Sequence, residues 1–172
     1  SLRPWVLATA GALAYYLQEQ TRGKELLREA LRLLEGMDAD DRRVARVQMW
    51  LAVQSVGVHE EYAPAMALAE EALSRLRRIG DQAGVAQALN ILGELTRGYG
   101  DYERARAIYE ECLALAKQIG DSLREQMNLI NLGYLAQHAG EYARAEELFK
   151  AALALAVQMG FRSHIASSLP IL

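Results

Sequence analysis

His59-Glu60-Glu61 sets an imidazole beside two carboxylates, like the opening of the helix motif in which two histidines four residues apart hold zinc and a glutamate serves as base. Ala63 stands where the second histidine is needed, and His138 and His164 lie in distant parts of the chain. No metal set follows, and none is expected. GELTRGYG over 93–100 spaces Gly93 and Gly98 as a phosphate loop would, but Tyr99 occupies the place of its lysine. Cys112 is the single cysteine and no histidine lies near it in sequence; burial in a helix would raise its thiol pKa and leave it inert. The carboxylate pairs Glu60-Glu61 and Glu110-Glu111 sit at adjacent positions, which diverge by about 100° on a helix and do not face each other. With no nucleophile–base pair, metal set or phosphate loop, the chain is expected to be neither an enzyme nor dependent on a cofactor.

Its 172 residues are enough to bury a core without metals or disulfides. Hydrophobic residues make up 52%, yet there are only two Phe and two Trp, and the dominance of Ala, Leu and Glu is that of tightly packed helices. A formal charge of -3 argues against direct nucleic-acid contact, which needs dense Lys and Arg. One cysteine excludes an internal disulfide and points to a reducing compartment, so a cytoplasmic location is expected. The apolar run over 4–17 is short for a bilayer and recurs in register with later segments, so neither a signal peptide nor a membrane anchor is expected. The chain opens without Met and stops partway into another unit, as a piece of a larger protein would.

Helices must position any site here, and their order follows a repeat. GYGDYERARAIYEECLALAKQIGD at 98–121 returns forty residues later as HAGEYARAEELFKAALALAVQMGF, keeping Gly100, Tyr102, Ala105 and Gly120 as Gly140, Tyr142, Ala145 and Gly160. Gly80-Asp81 precedes both by the same spacing. A glycine there can close one helix in the left-handed conformation, and the acidic residue after it can cap the next. The pattern predicts helices over 2–18, 21–36, 41–57, 61–79, 82–97, 101–119, 122–138 and 141–159, with a partial ninth from 161. These group as units 1–38, 39–80, 81–120 and 121–160 with a terminal helix over 161–172, forming one array.

Leu92-Gly93, Gly100-Asp101-Tyr102, Ala105, Tyr109 and Cys112, echoed by Leu132-Gly133, Gly140-Glu141-Tyr142, Ala145, Phe149 and Ala152, resemble the tetratricopeptide repeat. The resemblance implies an all-α fold, a right-handed α-α superhelix of about four helix-turn-helix units. Gly11, Gly23, Leu27 and Ala30 fit it more loosely, and Val53 replaces the first-helix glycine of the second unit. Packing accounts for the pattern: glycines let paired helices approach, small residues accept a neighbour, and Tyr109 and Phe149 fill the space between units. The forty-residue spacing resembles that of kinesin light chain and of the sensor regions of MalT-like and other LuxR-type bacterial regulators.

With packing positions assigned, the first helices leave an inward face at steps of three and four. It comprises Val47, Trp50, Gln54 and Gly57 in the second unit, Gln87, Asn90, Glu94 and Arg97 in the third, and Met127, Ile130, Tyr134 and Gln137 in the fourth. Amides pair with both N–H and C=O groups of an extended peptide, and Trp50 and Tyr134 offer stacking surfaces. The reading is a protein- or peptide-binding module, the interaction or sensor segment of a bacterial transcriptional regulator or signalling protein. The alternative is a structural spacer or scaffold that self-associates through truncated ends, with RSHIASSLPIL over 162–172 at the contact.

Overall fold

The computed structural model describes residues 2–37, 40–56 and 58–160, and every regular element among them is helical. The chain divides into two compact units, Ser1–Gly100 and Asp101–Leu172, so the third sequence repeat is shared between them. The expected terminal helix over 161–172 and Gly57 lie outside the described residues.

In the first unit, α1 (Arg3–Tyr16) pairs with α2 (Gln20–Glu35), α3 (Asp41–Val53) pairs with α4 (Tyr62–Arg78), and α5 (Gln82–Tyr99) packs on α4. A single 3-10 turn, His59–Glu61, leads into α4. In the second unit, α7 (Ser122–His138) packs against both α6 (Tyr102–Ile119) and α8 (Tyr142–Gln158). Boundaries fall within two residues of those expected except at α3, which stops four residues early. There Ser55 N–H donates to Ala52 O and Val56 N–H to Val53 O, winding the chain too tightly for an α-helix. Val53, Ser55, Val56 and Val58 are weak helix formers, so little opposes the change.

The helix ends are made by two residues in succession. Gly80, Gly100, Gly120 and Gly140 take φ of 69°, 99°, 72° and 79°, a left-handed conformation costly to any residue with a Cβ. After three of these, the next N–H reaches back over the helix end: Asp81 to Leu76 O, Asp121 to Ala116 O and Glu141 to Ala136 O, all at 2.9–3.0 Å. Asp81, Asp101 and Asp121 then accept from the backbone N–H of Gly84, Arg104 and Arg124, capping the following helix as their position implied. Between α1 and α2 the same turn is made without glycine: Gln18 stands at φ 61°, and Glu19 N–H donates to Ala14 O.

Missing side chains decide how the hairpins pack. A Cβ at Gly11 would lie 2.7 Å from Leu27 Cγ and 2.9 Å from Gly23 O, so α1 and α2 touch backbone to backbone. A Cβ at Gly133 would lie 2.7 Å from the Phe149 ring. Phe149 therefore packs within the α7–α8 hairpin, with Ala136 and Ala145, which corrects the expectation that it fills space between repeats. Tyr109 does bridge hairpins: it is fully buried, and with Ala105 of α6 it clusters with Leu132 and Leu135 of α7. In the first unit Leu27, Ala30 and Leu34 of α2 meet Val44, Val47 and Leu51 of α3, with Trp5 and Leu7 of α1 against them.

Two stability predictions follow. Gln18→Gly relieves the left-handed strain and raises stability by roughly 0.5–1 kcal/mol, about 1–4 °C in Tm for a chain of this size. Gly133→Leu forces the Phe149 ring aside and lowers stability by about 1–3 kcal/mol. Thermal melts followed by circular dichroism check both; an unchanged Tm for Gly133→Leu would show that the close approach is not a constraint.

Candidate functional site

The expected inward face is divided by the structure into residues that stay available and residues that the core takes. Trp50 is half-buried on α3 and shares a small cleft, about 40 Å³, with Met49, Val53, Gln87 and Ile91. Trp50 and Gln87 are thus brought together, as the repeat register implied. Asn90, one turn further along α5, is 9% exposed, and its Oδ1 accepts no hydrogen bond from the described residues. A buried amide oxygen without a donor is costly. Glu94 and Arg97 pair with each other at 2.7 Å, so the Arg97 charge is already partly neutralised.

Two residues of the stripe are not surface at all. Val47 belongs to the α2–α3 core. Gln54 is 2% exposed and its Nε2 donates to Gly11 O at 3.0 Å. A Cβ on Gly23 would strike Gln54 Oε1: the two glycines of the α1–α2 hairpin leave a hollow beside exposed backbone, and the long amide fills it. Gln54 is therefore removed from the binding face.

In the second unit Met127, Tyr134 and Gln137 are exposed on α7, whereas Ile130 is half-buried against the Ala136–Ala145–Phe149 cluster. Tyr134 meets Phe149 edge-on at 5.3 Å, so the ring is held while half of its surface stays open.

Sequence reasoning missed Tyr15 and Tyr16. At the end of α1 they stand 6.3 and 6.1 Å from Trp50, with ring planes tilted 56° and 72° to it. The rings touch edge to face and leave no cage between them, so the cluster offers outer surfaces for stacking. The consecutive tyrosines at the end of an apolar helix were the available signal.

The residues that resembled chemistry have structural employment. His59 stacks on Tyr99 at 4.9 Å, and Tyr62 covers that ring at 4.0 Å; in the second unit Tyr102 and His138 repeat the contact at 4.2 Å. Gly93 and Gly98 lie inside α5, where no loop exists to cradle a phosphate. Cys112 is buried, and burial pushes its thiol pKa up while Asn128 Nδ2 donates to its Sγ at 3.2 Å. Among the described residues no three His, Cys, Asp or Glu side chains converge as a metal site would need. A hollow of about 880 Å³ at the α2–α3 and α4 ends of the first unit is lined in part by Asp41, Arg75 and Arg78. Its charges satisfy one another, since both arginines bond Asp41 at 2.7–2.9 Å.

A chain of helical hairpins with glycine-ended, aspartate-capped junctions defines an α-helical repeat protein. Two tetratricopeptide-repeat family models match residues 85–119 and 129–163, so these two stretches are tetratricopeptide repeats. Among solved structures it resembles aspartyl phosphate phosphatase F from Bacillus subtilis (TM-score 0.88, 13% identity, 96% of this chain and 43% of that one). It also resembles a Rap protein complexed with competence and sporulation factor (0.87, 16%, 94% and 45%). A third is a signal transduction ATPase with numerous domains, carrying a tetratricopeptide-repeat sensor, from Pyrococcus horikoshii (0.77, 17%, 96% and 25%). The chain spans less than half the length of each of these proteins, and identities this low carry the fold alone. No curated protein sequence matches the chain.

The Asp41 carboxyl is held below its ordinary pKa of 3.8, first by the hydrogen bond from Arg78 and then by Arg75, with burial opposing. A carboxylate whose folded pKa is depressed adds stability that is present above its unfolded pKa and lost as pH falls through the folded value. Asp41→Asn should therefore lower Tm at neutral pH, with the gap to wild type closing as pH falls below about 4. Melts across that range measure it; a gap that persists in acid would assign the effect to shape instead of charge.

Proposed function

We propose that this chain is a protein- or peptide-binding module, serving as the interaction or sensor segment of a bacterial signalling protein or transcriptional regulator in the cytoplasm. The observation that carries the reading is the cleft that Trp50 and Gln87 share with Met49, Val53 and Ile91. An indole for stacking beside an amide suits the side chains and backbone groups of an extended peptide. Tyr15 and Tyr16 extend the aromatic surface beside Trp50. On α7, Met127, Tyr134 and Gln137 offer a second set of the same composition. Gln54 has no part in it.

Relatives in fold lend support in their own names: one is a Rap protein in complex with competence and sporulation factor, another contains a tetratricopeptide-repeat sensor. Recognition of a terminal carboxylate is disfavoured, because Arg97 is paired with Glu94. No helix among the described residues is long and apolar enough to cross a membrane.

Selection from a displayed library of random extended peptides tests the proposal. Wild type should enrich a peptide family whose affinity falls tenfold or more for the Trp50→Ala, Asn90→Ala, Tyr134→Ala variant, as loss of about 1.4 kcal/mol or more would give. Equal binding of the enriched peptides by that variant would exclude both sets of residues, the one around Trp50 and the one around Tyr134.

A further inference from the structure

Arg46 is exposed on α3 and forms no ion pair among the described residues. Its neighbours along the helix fix where it stands. Arg42, one turn earlier, donates to Asp81 at the start of α5 at 2.6 Å. Met49, Trp50 and Val53, one and two turns later, share their cleft with Gln87 and Ile91 of the same helix. Residues three and four apart lie on one helix face, so Arg46 falls between these two contacts, at the mouth of the Trp50 cleft nearest the start of α5. On α5, Ala83 and Gln87 are exposed one turn apart, and the methyl of Ala83 puts little bulk between Gln87 and the start of the helix.

The charges around the cleft leave this one uncompensated. Every carboxylate of α3, of α5 and of the residues that cap them is paired with an arginine: Asp40 with Arg43, Asp41 with Arg75 and Arg78, Asp81 with Arg42, and Glu94 with Arg97. Arg43 also lies over the Trp5 ring, 4.6 Å from its centroid. The surplus around the cleft is therefore positive, and it stands one turn from the indole. A carboxylate brought there would accept from the Arg46 guanidinium, and Gln87 Nε2 can donate to it as well. A basic segment would meet Arg46 with no open carboxylate on either helix to offset it.

We propose that Arg46, assisted by Gln87, seats a carboxylate side chain of the peptide held in the Trp50 cleft. The inference rests on the peptide-binding reading above and narrows its ligand class to an extended acidic segment. Spacing sets the pattern. Cβ atoms one turn apart on a helix are about 5–6 Å apart. Side chains two residues apart on an extended strand share a face and are separated by about 6.5–7 Å. A large apolar side chain lying on Trp50 therefore brings Asp or Glu, two positions away in the peptide, to Arg46. The seat is for an internal side chain, since at the far end of the face Arg97 is occupied by Glu94.

The probes are displayed random extended peptides selected on the full chain, and labelled synthetic copies of the enriched ones, titrated and followed by anisotropy. Enriched sequences should carry Asp or Glu two positions from a large apolar residue, and replacing that acid by Asn or Gln should weaken binding. Arg46→Gln should weaken it by roughly threefold or more, with the loss shrinking as salt is raised. Arg22→Gln, which removes the same charge from an exposed position on α2, should leave it unchanged. Selection on Arg46→Glu should instead enrich Lys or Arg at the same position, a reversal that loss of folding could not produce. Enriched peptides that need Trp50 yet show no acidic preference, or that bind Arg46→Gln and wild type alike, overturn this inference and leave the binding reading intact. Equal losses from Arg46→Gln and Arg22→Gln overturn it too, since net charge alone would then account for them. A wild type that enriches no peptide overturns both.

Discussion

Side chains cut down to a methyl or a hydrogen along one face of each second helix set how near its neighbours come. Ala30, Ala69, Ala72, Ala105, Cys112, Ala116, Ala152 and Ala156 have no exposed surface. Each methyl contributes little by burial, roughly 0.8 kcal/mol. Its larger effect is to let a neighbour's bulk close in: Leu27, Leu76, Leu89 and Tyr109 are among the largest fully buried side chains. Gly11 and Gly133 take this to its limit, where one helix meets the next with no Cβ between them. A densely packed interior has no slack for added volume there.

The junctions obey a second, local constraint. A left-handed glycine followed by an acidic residue ends one helix and starts another within two or three residues, so the helices joined this way within each unit pack side by side. Ion pairs then tie helices that are distant in sequence: Arg42 to Asp81, Arg75 and Arg78 to Asp41, and Arg106 to Glu141. Being partly exposed, each contributes modestly. Their directional bonds nevertheless resist sliding of one helix along the next.

These constraints occupy only part of each helix, and the remainder is where function can differ. Proteins with 13–17% identity share this fold, so the packing pattern tolerates many different exposed faces, and the fold does not name a ligand. In this chain the remainder holds aromatic and amide side chains near Trp50, with Arg46 one turn away.

The architecture was legible in the sequence because its determinants are local and repeated. Glycine followed by an acidic residue every forty positions marks helix ends regardless of what lies nearby, and small residues in register mark the buried faces. The site was less legible. Trp50 and Gln87 met as their register implied, but Gln54, on the same stripe as Trp50, turned into a hollow left by Gly11 and Gly23, glycines forty-three and thirty-one residues earlier. Tyr15 and Tyr16 joined Trp50 from another helix, and Phe149 settled inside its own hairpin on Gly133. By itself the sequence determined the helices, their ends and their order, since backbone conformation and capping depend on residues a few positions apart. Which side chains fill a void, which stack and which remain open was decided by tertiary structure, because those outcomes depend on the space left by residues far away along the chain.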